Sequence, residues 1–294
     1  MSTRSGFVAL AGRPNAGKST LLNRVVGDKV AIVSNKPQTT RRAIRGIATG
    51  EDWQLVLVDL PGVQRPRDPL TERMQRRMEH ELAESDAALF VLNGEQQVGP
   101  GDRFIARAIA AAHVTPVIAL NKIDVLDRAR TLAALQSADD LGLDADVFPV
   151  SALTGAGVDA LVERLVALLP EGHHLFPAGE RTDLPESVRV AELVREQVLA
   201  RTRQELPHAV EVEIAEIERR PDGLLLVVAR IWTETESQKG ILVGASGRMV
   251  RDVGTAARRE IEELTGQRMH LDLSVRVRRG WRGDDGLLDR LGID

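Results

Sequence analysis

The chain has 294 residues, a formal net charge of −4 and a hydrophobic content of 43%. This length and composition suit two globular domains, and the lack of cysteine excludes disulfides and thiolate metal sites. The mildly acidic charge gives no general support for nucleic-acid binding, which must therefore depend on local basic patches. The N-terminus has no apolar signal sequence and no segment is apolar enough to span a bilayer, so we expect a cytoplasmic location.

Strand-like and helical segments alternate over residues 1–170. Apolar runs predict five strands, at 7–11, 55–58, 87–92, 116–120 and 147–150. The segments between and after them predict helices that begin near residues 19, 70, 102, 132 and 158. This alternation predicts an α/β domain with a doubly wound, mostly parallel sheet, in which ligands bind beyond the carboxyl ends of the strands.

The first predicted strand leads into a glycine-rich turn with the sequence Gly-Arg-Pro-Asn-Ala-Gly-Lys-Ser-Thr. Two glycines at this spacing, followed by Lys-Ser, are typical of a phosphate-binding loop, in which backbone N–H groups and a helix N-terminus attract the anion. We expect Lys18 to contact the β- and γ-phosphates and the Ser19 hydroxyl to bind Mg²⁺. The predicted nucleotide-binding residues of this loop are Gly12, Arg13, Pro14, Asn15, Ala16, Gly17, Lys18, Ser19 and Thr20.

Two further motifs predict contacts to the metal and the terminal phosphate. Residues 36–42 are polar and contain a proline, which favours an extended loop, and we favour Thr40 over Thr39 as a Mg²⁺ ligand. A solvated basic loop is the alternative. The sequence Asp-Leu-Pro-Gly at 59–62 follows the strand at 55–58, so Asp59 can hold Mg²⁺ and the Gly62 N–H can face the γ-phosphate, with Leu60 and Pro61 between them.

The motif Asn121-Lys122-Ile123-Asp124 is the most discriminating one in the chain. A carboxylate at Asp124 can accept both the N1–H and the N2 amino group of guanine, a pair of donors that adenine lacks. Asn121 can bond the base or tie loops together, and the Lys122 stem can cover the ring. Ser151 and Ala152, after the strand at 147–150, can offer a backbone N–H to the guanine carbonyl oxygen.

This ordered set of motifs resembles the Era-like members of the GTPases of translation and ribosome assembly. The resemblance implies GTP hydrolysis with Mg²⁺, with Lys18, Thr40, Asp59, Gly62 and Asn15 as the catalytic set. Era members usually carry threonine at the position of Leu60. Val63 stands where Ras-type enzymes have a water-orienting glutamine, and Gln64 lies one position too far. The resemblance implies a group with an apolar residue here, some of which use K⁺ held partly by Asn15, so we expect slow intrinsic hydrolysis.

The second half of the chain has a different organisation. Residues 171–187 are rich in proline and glycine and predict a linker, and 188–280 predict an α+β domain followed by a tail at 281–294. The order helix, two strands, helix, Gly-x-x-Gly, helix and strand resembles a type II KH domain. Its loop, Gly244-Ala245-Ser246-Gly247, lacks the lysine that Era members usually carry. A helix–turn–helix packed for shape alone is the alternative.

Local charge supports an RNA-binding role for this domain. Between residues 248 and 282 there are nine arginines against five acidic residues, whereas 171–247 is acidic. The arginines can pair with phosphates, and a tryptophan among them can stack a base. The predicted RNA-binding residues are Gly244, Ala245, Ser246, Gly247, Arg248, Arg251, Arg276, Arg278, Arg279 and Trp281.

The resemblance covers almost the whole chain. It implies a monomer that binds GTP and GDP, and whose KH domain contacts the 3′ region of 16S ribosomal RNA during assembly of the 30S subunit. Some members also make peripheral contact with the inner face of the cell membrane, although no anchor is evident here. Three alternatives remain: an ATP-dependent small-molecule kinase, a GTPase of tRNA modification, and an RNA-binding module with a vestigial nucleotide fold.

Overall fold

The computed structural model describes residues 3–62 and 68–293. The described residues divide into two compact units. The first draws on Met1–Arg67 and Thr71–Asp183, and the second on Asp68–Leu70 and Leu184–Asp294. Each unit is built around its own sheet. No helix among the described residues is both long enough and apolar enough to cross a membrane.

The first sheet has six strands in the order β2-β3-β1-β4-β5-β6, and every neighbouring pair is parallel except β2 with β3. The α/β prediction is therefore confirmed, with one antiparallel edge strand that the sequence did not predict. The elements of this half of the chain are β1 (Arg4–Ala11), α1 (Lys18–Val26), β2 (Ile44–Thr49), β3 (Trp53–Asp59), α2 (Pro69–Ala83), β4 (Ala87–Asn93), α3 (Pro100–Ala112), β5 (Thr115–Asn121), α4 (Arg128–Asp139), β6 (Asp146–Pro149) and α5 (Val158–Leu168).

Helices cover both faces of this sheet. Val8 and Leu10 of β1 pack into a cluster with α1 and α5, whereas Ala9 and Ala11 pack into a second cluster with α2 and α3. Successive side chains of a strand point to opposite faces, so a strand covered on both sides must be apolar throughout. This arrangement leaves the carboxyl ends of the strands open for the loops that carry the nucleotide motifs.

The second sheet has three strands in the order β7-β8-β9, with β7 antiparallel and β9 parallel to β8. The two strands, the paired helices and the last strand follow one another as the predicted type II KH order requires. The elements are α6 (Glu186–Arg201), α7 (Leu206–Ala209), β7 (Glu211–Arg219), β8 (Leu225–Thr233), α8 (Glu236–Val243), α9 (Arg248–Thr265), β9 (Met269–Val277) and α10 (Asp285–Arg290).

Part of the predicted linker is held against the first sheet. The Gln54 side chain, at the start of β3, accepts hydrogen bonds from the N–H groups of Leu175 (2.7 Å) and Phe176 (2.8 Å). The Ile47 N–H of β2 donates to the Arg181 carbonyl at 2.8 Å. The chain therefore runs along the edge of the first unit as far as residue 183 before it enters the second.

Candidate functional site

Backbone geometry at the phosphate-binding loop requires glycine at two positions. Gly17 has a φ of +97°, and a Cβ there would lie 2.2 Å from the Asn121 Nδ2 atom. A Cβ on Gly12 would lie 2.6 Å from the Val91 carbonyl oxygen. Asn15, at the tip of the loop, has a φ of +63°, a left-handed conformation that asparagine tolerates better than most residues. The loop therefore has the close backbone approaches that a phosphate cradle needs.

Lys18 is buried at the start of α1. Its ammonium group donates to the carbonyls of Gly12 (3.1 Å) and Arg13 (3.3 Å), so the side chain curls back over the loop. Burial lowers the pKa of Lys18, and the nearby Asp59 carboxylate partly opposes this shift. An anionic phosphate next to the ammonium group would stabilise its charged form in the same way.

Three oxygen-bearing side chains converge beside Lys18. The Ser19 hydroxyl donates to Asp59 Oδ2 at 2.5 Å, the Thr40 hydroxyl donates to the same oxygen at 3.1 Å, and the two hydroxyl oxygens are 3.2 Å apart. Asp59 is fully buried, and its Oδ1 atom has no hydrogen-bond partner among the described residues. Burial raises the pKa of Asp59, while Lys18 and the two hydroxyls lower it. Hard oxygen donors with an orphaned carboxylate oxygen fit Mg²⁺, which prefers such ligands.

The structure distinguishes the two threonines of the polar segment at 35–42, here called the switch segment. Thr40 is buried against Ser19 and Asp59, whereas the Thr39 hydroxyl donates to the Lys36 carbonyl at 2.7 Å. Arg41 and Arg42 are also buried, so the end of this segment is not the solvated basic loop that was the alternative. The neighbouring Asn15 Nδ2 atom donates to the Asn35 carbonyl at 3.0 Å and so joins the phosphate-binding loop to the same segment.

The residues around Gly62 lie close to the phosphate-binding loop. A Cβ on Gly62 would lie 3.0 Å from the Pro14 ring. Leu60 is fully buried in the core, so it has no access to a nucleotide. Val63 and Gln64, which bear on the orientation of the attacking water, lie outside the described residues.

Asn121 connects the phosphate-binding loop to the loop after β6. Its Nδ2 atom donates to the Ala16 carbonyl, and its Oδ1 atom accepts the Ala152 N–H, both at 2.9 Å. Of the two roles that the sequence left open, the structure places Asn121 in that of a tie between loops. The Ile123 N–H reinforces the connection by donating to the Val150 carbonyl at 3.3 Å.

Both amides that were predicted to meet the guanine carbonyl already have partners. The Ser151 N–H donates to the Ala156 carbonyl, and the Ala152 N–H donates to Asn121, each at 2.9 Å. The loop from 151 to 156 is thus a closed turn, whose first residue is fully buried.

A cleft of about 440 Å³ runs from the phosphate-binding loop to Lys122. The Lys122 ammonium group is 2.8 Å from the Glu95 carboxylate, which holds the lysine stem at the edge of the cleft. Asp124 lies in a single turn of 3₁₀ helix and is exposed, as a residue that accepts hydrogen bonds from a bound base must be.

Arg13, a predicted nucleotide contact, is turned away into an ion pair with the buried Asp102 at 2.8 Å. The cleft is also lined by residues that the predicted set left out, among them Ile32, Val33, Ser34, Asn93, Glu95 and Gln96.

In the second unit, the Gly-x-x-Gly loop joins α8 to α9. Gly244 and Gly247 have φ values of +67° and +77°, and a Cβ on Gly244 would lie 2.9 Å from Met249. Ala245 and Ser246 between them are exposed. A groove of about 450 Å³ begins at Gly247 and follows α9 and β9. The groove is also lined by Thr255, Arg258 and His270, which the predicted set did not include. Thr255 and Arg258 lie four and seven residues after Arg251, so the three side chains share one face of α9.

Some of the arginines at the predicted basic end of this unit are exposed, and others form contacts within the protein. Arg248, Arg276 and Arg279 are exposed, whereas Arg278 pairs with Asp284 and lies over the Trp232 ring. The prediction that Trp281 stacks a base is wrong. Trp281 is fully buried, and its indole N–H donates to the Ala209 carbonyl at 3.0 Å. The tryptophan is part of the core, since a large side chain with one satisfied polar atom is readily buried.

Comparison with known proteins gives the family. Residues 7–122 match the family described as 50S ribosome-binding GTPase, and residues 205–282 match the KH domain family. GTPase Era of Mycolicibacterium paratuberculosis is 47% identical, with 99% of each chain covered, and that of Carboxydothermus hydrogenoformans is 43% identical, with 100% of this chain and 99% of the relative covered. The chain belongs to the Era family of GTPases. As an Era-family enzyme it hydrolyses GTP, which excludes the ATP-dependent kinase.

Solved structures of Era share the whole architecture. Aquifex aeolicus Era, as a variant bound to GDP and AlF4⁻, has a TM-score of 0.95 and 33% identity, with 99% of each chain covered. Era in complex with MgGDPNP and nucleotides 1506–1542 of 16S ribosomal RNA has a TM-score of 0.94 at the same identity and coverage. This agreement over both units distinguishes the chain from the GTPases that share the first domain alone.

Proposed function

We propose that this chain binds GTP with Mg²⁺ in the cleft of the first unit, and that the bound nucleotide controls how tightly the KH unit binds the 3′ region of 16S ribosomal RNA during 30S assembly. The observation that carries the proposal is the convergence of Ser19, Thr40 and Asp59 beside Lys18, in a chain that also has a Gly-x-x-Gly groove. An Era relative that holds MgGDPNP and a 16S fragment together supports both halves of it.

The residues around the phosphates have distinct roles in the proposed hydrolysis. The Lys18 ammonium group neutralises charge on the β- and γ-phosphates, and its burial strengthens that interaction by excluding water. Ser19, Thr40 and Asp59 hold the metal, which when bound supplies positive charge to the phosphate oxygens. The Gly62 N–H faces the γ-phosphate, and the attacking water approaches in line. Through Thr40 and Gly62, the conformations of the two segments that contain them depend on whether the γ-phosphate is present.

Potassium is a second proposed cofactor. Asn15 lies at the tip of the phosphate-binding loop and is bonded to the switch segment through the Asn35 carbonyl. Its side-chain oxygen, together with nearby backbone carbonyls, is the kind of donor set that K⁺ accepts. Turnover should therefore be faster in K⁺ than in Na⁺ buffer. Equal rates in the two buffers would remove Asn15 from the catalytic set.

RNA binding is assigned to the groove along α9 and β9. The Gly244–Gly247 loop has no lysine, so it can offer only backbone N–H groups to the RNA phosphates. Electrostatic attraction to the phosphates therefore comes from neighbouring arginines, chiefly Arg248, Arg251 and Arg258. The exposed Arg276 and Arg279 extend the basic surface. We propose that the protein acts as a monomer, and that any membrane contact is peripheral.

Nucleotide competition and RNA titration test the proposal together. GTP and GDP should displace a fluorescent guanine nucleotide, whereas ATP and ADP should not. Multiple-turnover phosphate release should be lost in Lys18→Ala, and RNA that spans nucleotides 1506–1542 of 16S should bind better than a scrambled RNA of equal length. Equal affinity for guanine and adenine nucleotides, or equal affinity for the two RNAs, would overturn the corresponding half of the proposal.

A further inference from the structure

One arginine of α1 holds the loop at 151–156, to which the sequence assigned contact with the guanine carbonyl. The Arg24 Nε atom donates to the Ala152 carbonyl at 3.1 Å, and its Nη2 atom donates to the Leu153 carbonyl. The guanidinium also lies against Gly155, where an added Cβ would be 3.8 Å from Arg24 Cδ. A planar guanidinium with donors fixed in a fork suits two successive carbonyls, so this contact fixes both the position and the orientation of the loop.

The loop needs such an anchor on its outer side. Ser151 is fully buried and bonded at both its N–H and its carbonyl, which fixes the inner end. Leu153, two residues on, has 69% of its surface exposed, so side-chain packing does not hold it in place. Since packing is missing there, hydrogen bonds position the backbone at this residue, and Arg24 makes those to the Ala152 and Leu153 carbonyls.

The same segment contains the amide that remains available to a ligand. Ser151 N–H, Ala152 N–H and Thr154 N–H donate to Ala156, Asn121 and the Ser151 hydroxyl respectively. The Leu153 N–H donates to no group in the part of the chain that the structure describes. Leu153 lines an open cleft of about 590 Å³, together with Arg24, Val33 and Ala152.

We propose that Arg24 is a positioning residue for base recognition: by holding the Ala152 and Leu153 carbonyls, it aims the Leu153 N–H at the carbonyl oxygen of guanine. This inference depends on the guanine binding proposed above. Arg24 lies on the helix that begins with Lys18 and Ser19, so a single rigid element links the phosphate end of the site to the base end. In this arrangement the Asp124 carboxylate accepts from the N1–H and N2 amino groups of guanine, and the Leu153 N–H donates to its carbonyl oxygen.

Nucleotide analogues separate this role from general attraction of an anion. 6-Thio-GDP keeps the N1–H and the N2 amino group that Asp124 accepts but replaces the carbonyl oxygen with a weakly accepting sulfur. IDP keeps the oxygen but lacks the amino group. The affinities of GDP, 6-thio-GDP and IDP are measured by competition against a fluorescent GDP for the full chain and for Arg24→Gln, Arg24→Lys and Arg107→Gln. Arg107 is the matched control, since its Nε atom bonds the Arg103 carbonyl of its own helix, α3.

The expected result is a selective loss. Arg24→Gln should weaken GDP by about threefold to tenfold, the range for one hydrogen bond, and should weaken 6-thio-GDP much less. The GDP to 6-thio-GDP ratio then falls, while the GDP to IDP ratio keeps its value. Arg24→Lys keeps the charge but not the fork and should show a partial loss, and Arg107→Gln should match the parent. Each ratio is taken on one preparation, so any unfolded fraction of a variant cancels.

An unchanged GDP to 6-thio-GDP ratio in Arg24→Gln would overturn the inference and spare guanine binding itself, whether the nucleotides keep their affinities or all three weaken equally. If the parent protein binds ADP as well as GDP, the proposed function fails, and this inference fails with it.

Discussion

Replacing Asn121 with alanine would cut the tie between the phosphate-binding loop and the loop at 151–156. The side chain is buried, and it bonds the Ala16 carbonyl and the Ala152 N–H at 2.9 Å each. Ala16 and Ala152 are also buried, so water cannot replace either bond without a rearrangement. The variant therefore leaves one acceptor and one donor buried without partners.

The magnitude follows from those two groups. A buried polar group that loses its partner costs about 1–3 kcal/mol, so the first unit should lose roughly 2–6 kcal/mol of unfolding free energy. That is a large share of the roughly 5–15 kcal/mol of a typical domain. A chain of two units does not unfold in a single transition, so hydrogen exchange of peptides from β1 and β5 is the appropriate measurement. GDP affinity should fall in the same variant, because the two loops no longer hold each other in place.

Gln54→Ala is the matched control for Asn121→Ala. Gln54 is also a fully buried amide, with bonds to Thr49, Leu175 and Phe176, but it lies at the start of β3, at the end of the sheet opposite the nucleotide loops. It should lower stability without changing the GDP affinity of the folded protein. If Asn121→Ala changes the unfolding free energy of the first unit by less than about 0.5 kcal/mol, the level of a neutral surface substitution, the two hydrogen bonds of Asn121 do not stabilise it as proposed. The role of Asn121 as a tie between the two loops is refuted equally if both variants lower GDP affinity to the same extent.

Three further variants test other parts of the site. Thr40→Val should weaken binding of a GTP analogue with Mg²⁺ while sparing GDP, as measured by titration; equal loss for both would remove Thr40 from γ-phosphate sensing. Trp281→Phe should lower the stability of the second unit by about 1–3 kcal/mol through the lost bond to Ala209, yet leave RNA affinity unchanged; a loss of RNA binding in the folded variant would restore the stacking role. Arg258→Gln should weaken RNA binding and reduce the salt slope by about 1, and an unaltered slope would exclude a phosphate contact.

The sequence predicted the first unit well because its motifs and its strands reinforce each other. The apolar runs that precede the phosphate-binding loop, Asp59 and Asn121 are strands covered on both faces, so their composition is unambiguous. The exception is β2, Ile44–Thr49, an edge strand with arginine and glycine inside it that follows the polar switch segment. Its pairing with β3 is antiparallel and depends on the partner strand, which local composition does not reveal.

The partners of side chains were harder to predict than the positions of the motifs. Trp281 stands among arginines in the sequence, and this neighbourhood suggested RNA contact, but the turn after β9 points the ring into the core. The amides of Ser151 and Ala152 were predicted to meet the guanine carbonyl, but both are bonded inside the protein, which spacing alone cannot show. Arg24 carries no motif, and its contact with residues 152 and 153 depends on the packing of α1 beside that loop.

In the proposed function, the nucleotide bound in the first unit sets the RNA affinity of the second. The most direct test loads one preparation of the full chain with GDP or with a non-hydrolysable GTP analogue and Mg²⁺, and measures binding of the 16S fragment at fixed salt. The two affinities should differ by about fivefold or more, the lower range of a coupling between two sites. Identical RNA affinities in the two nucleotide states would contradict this coupling.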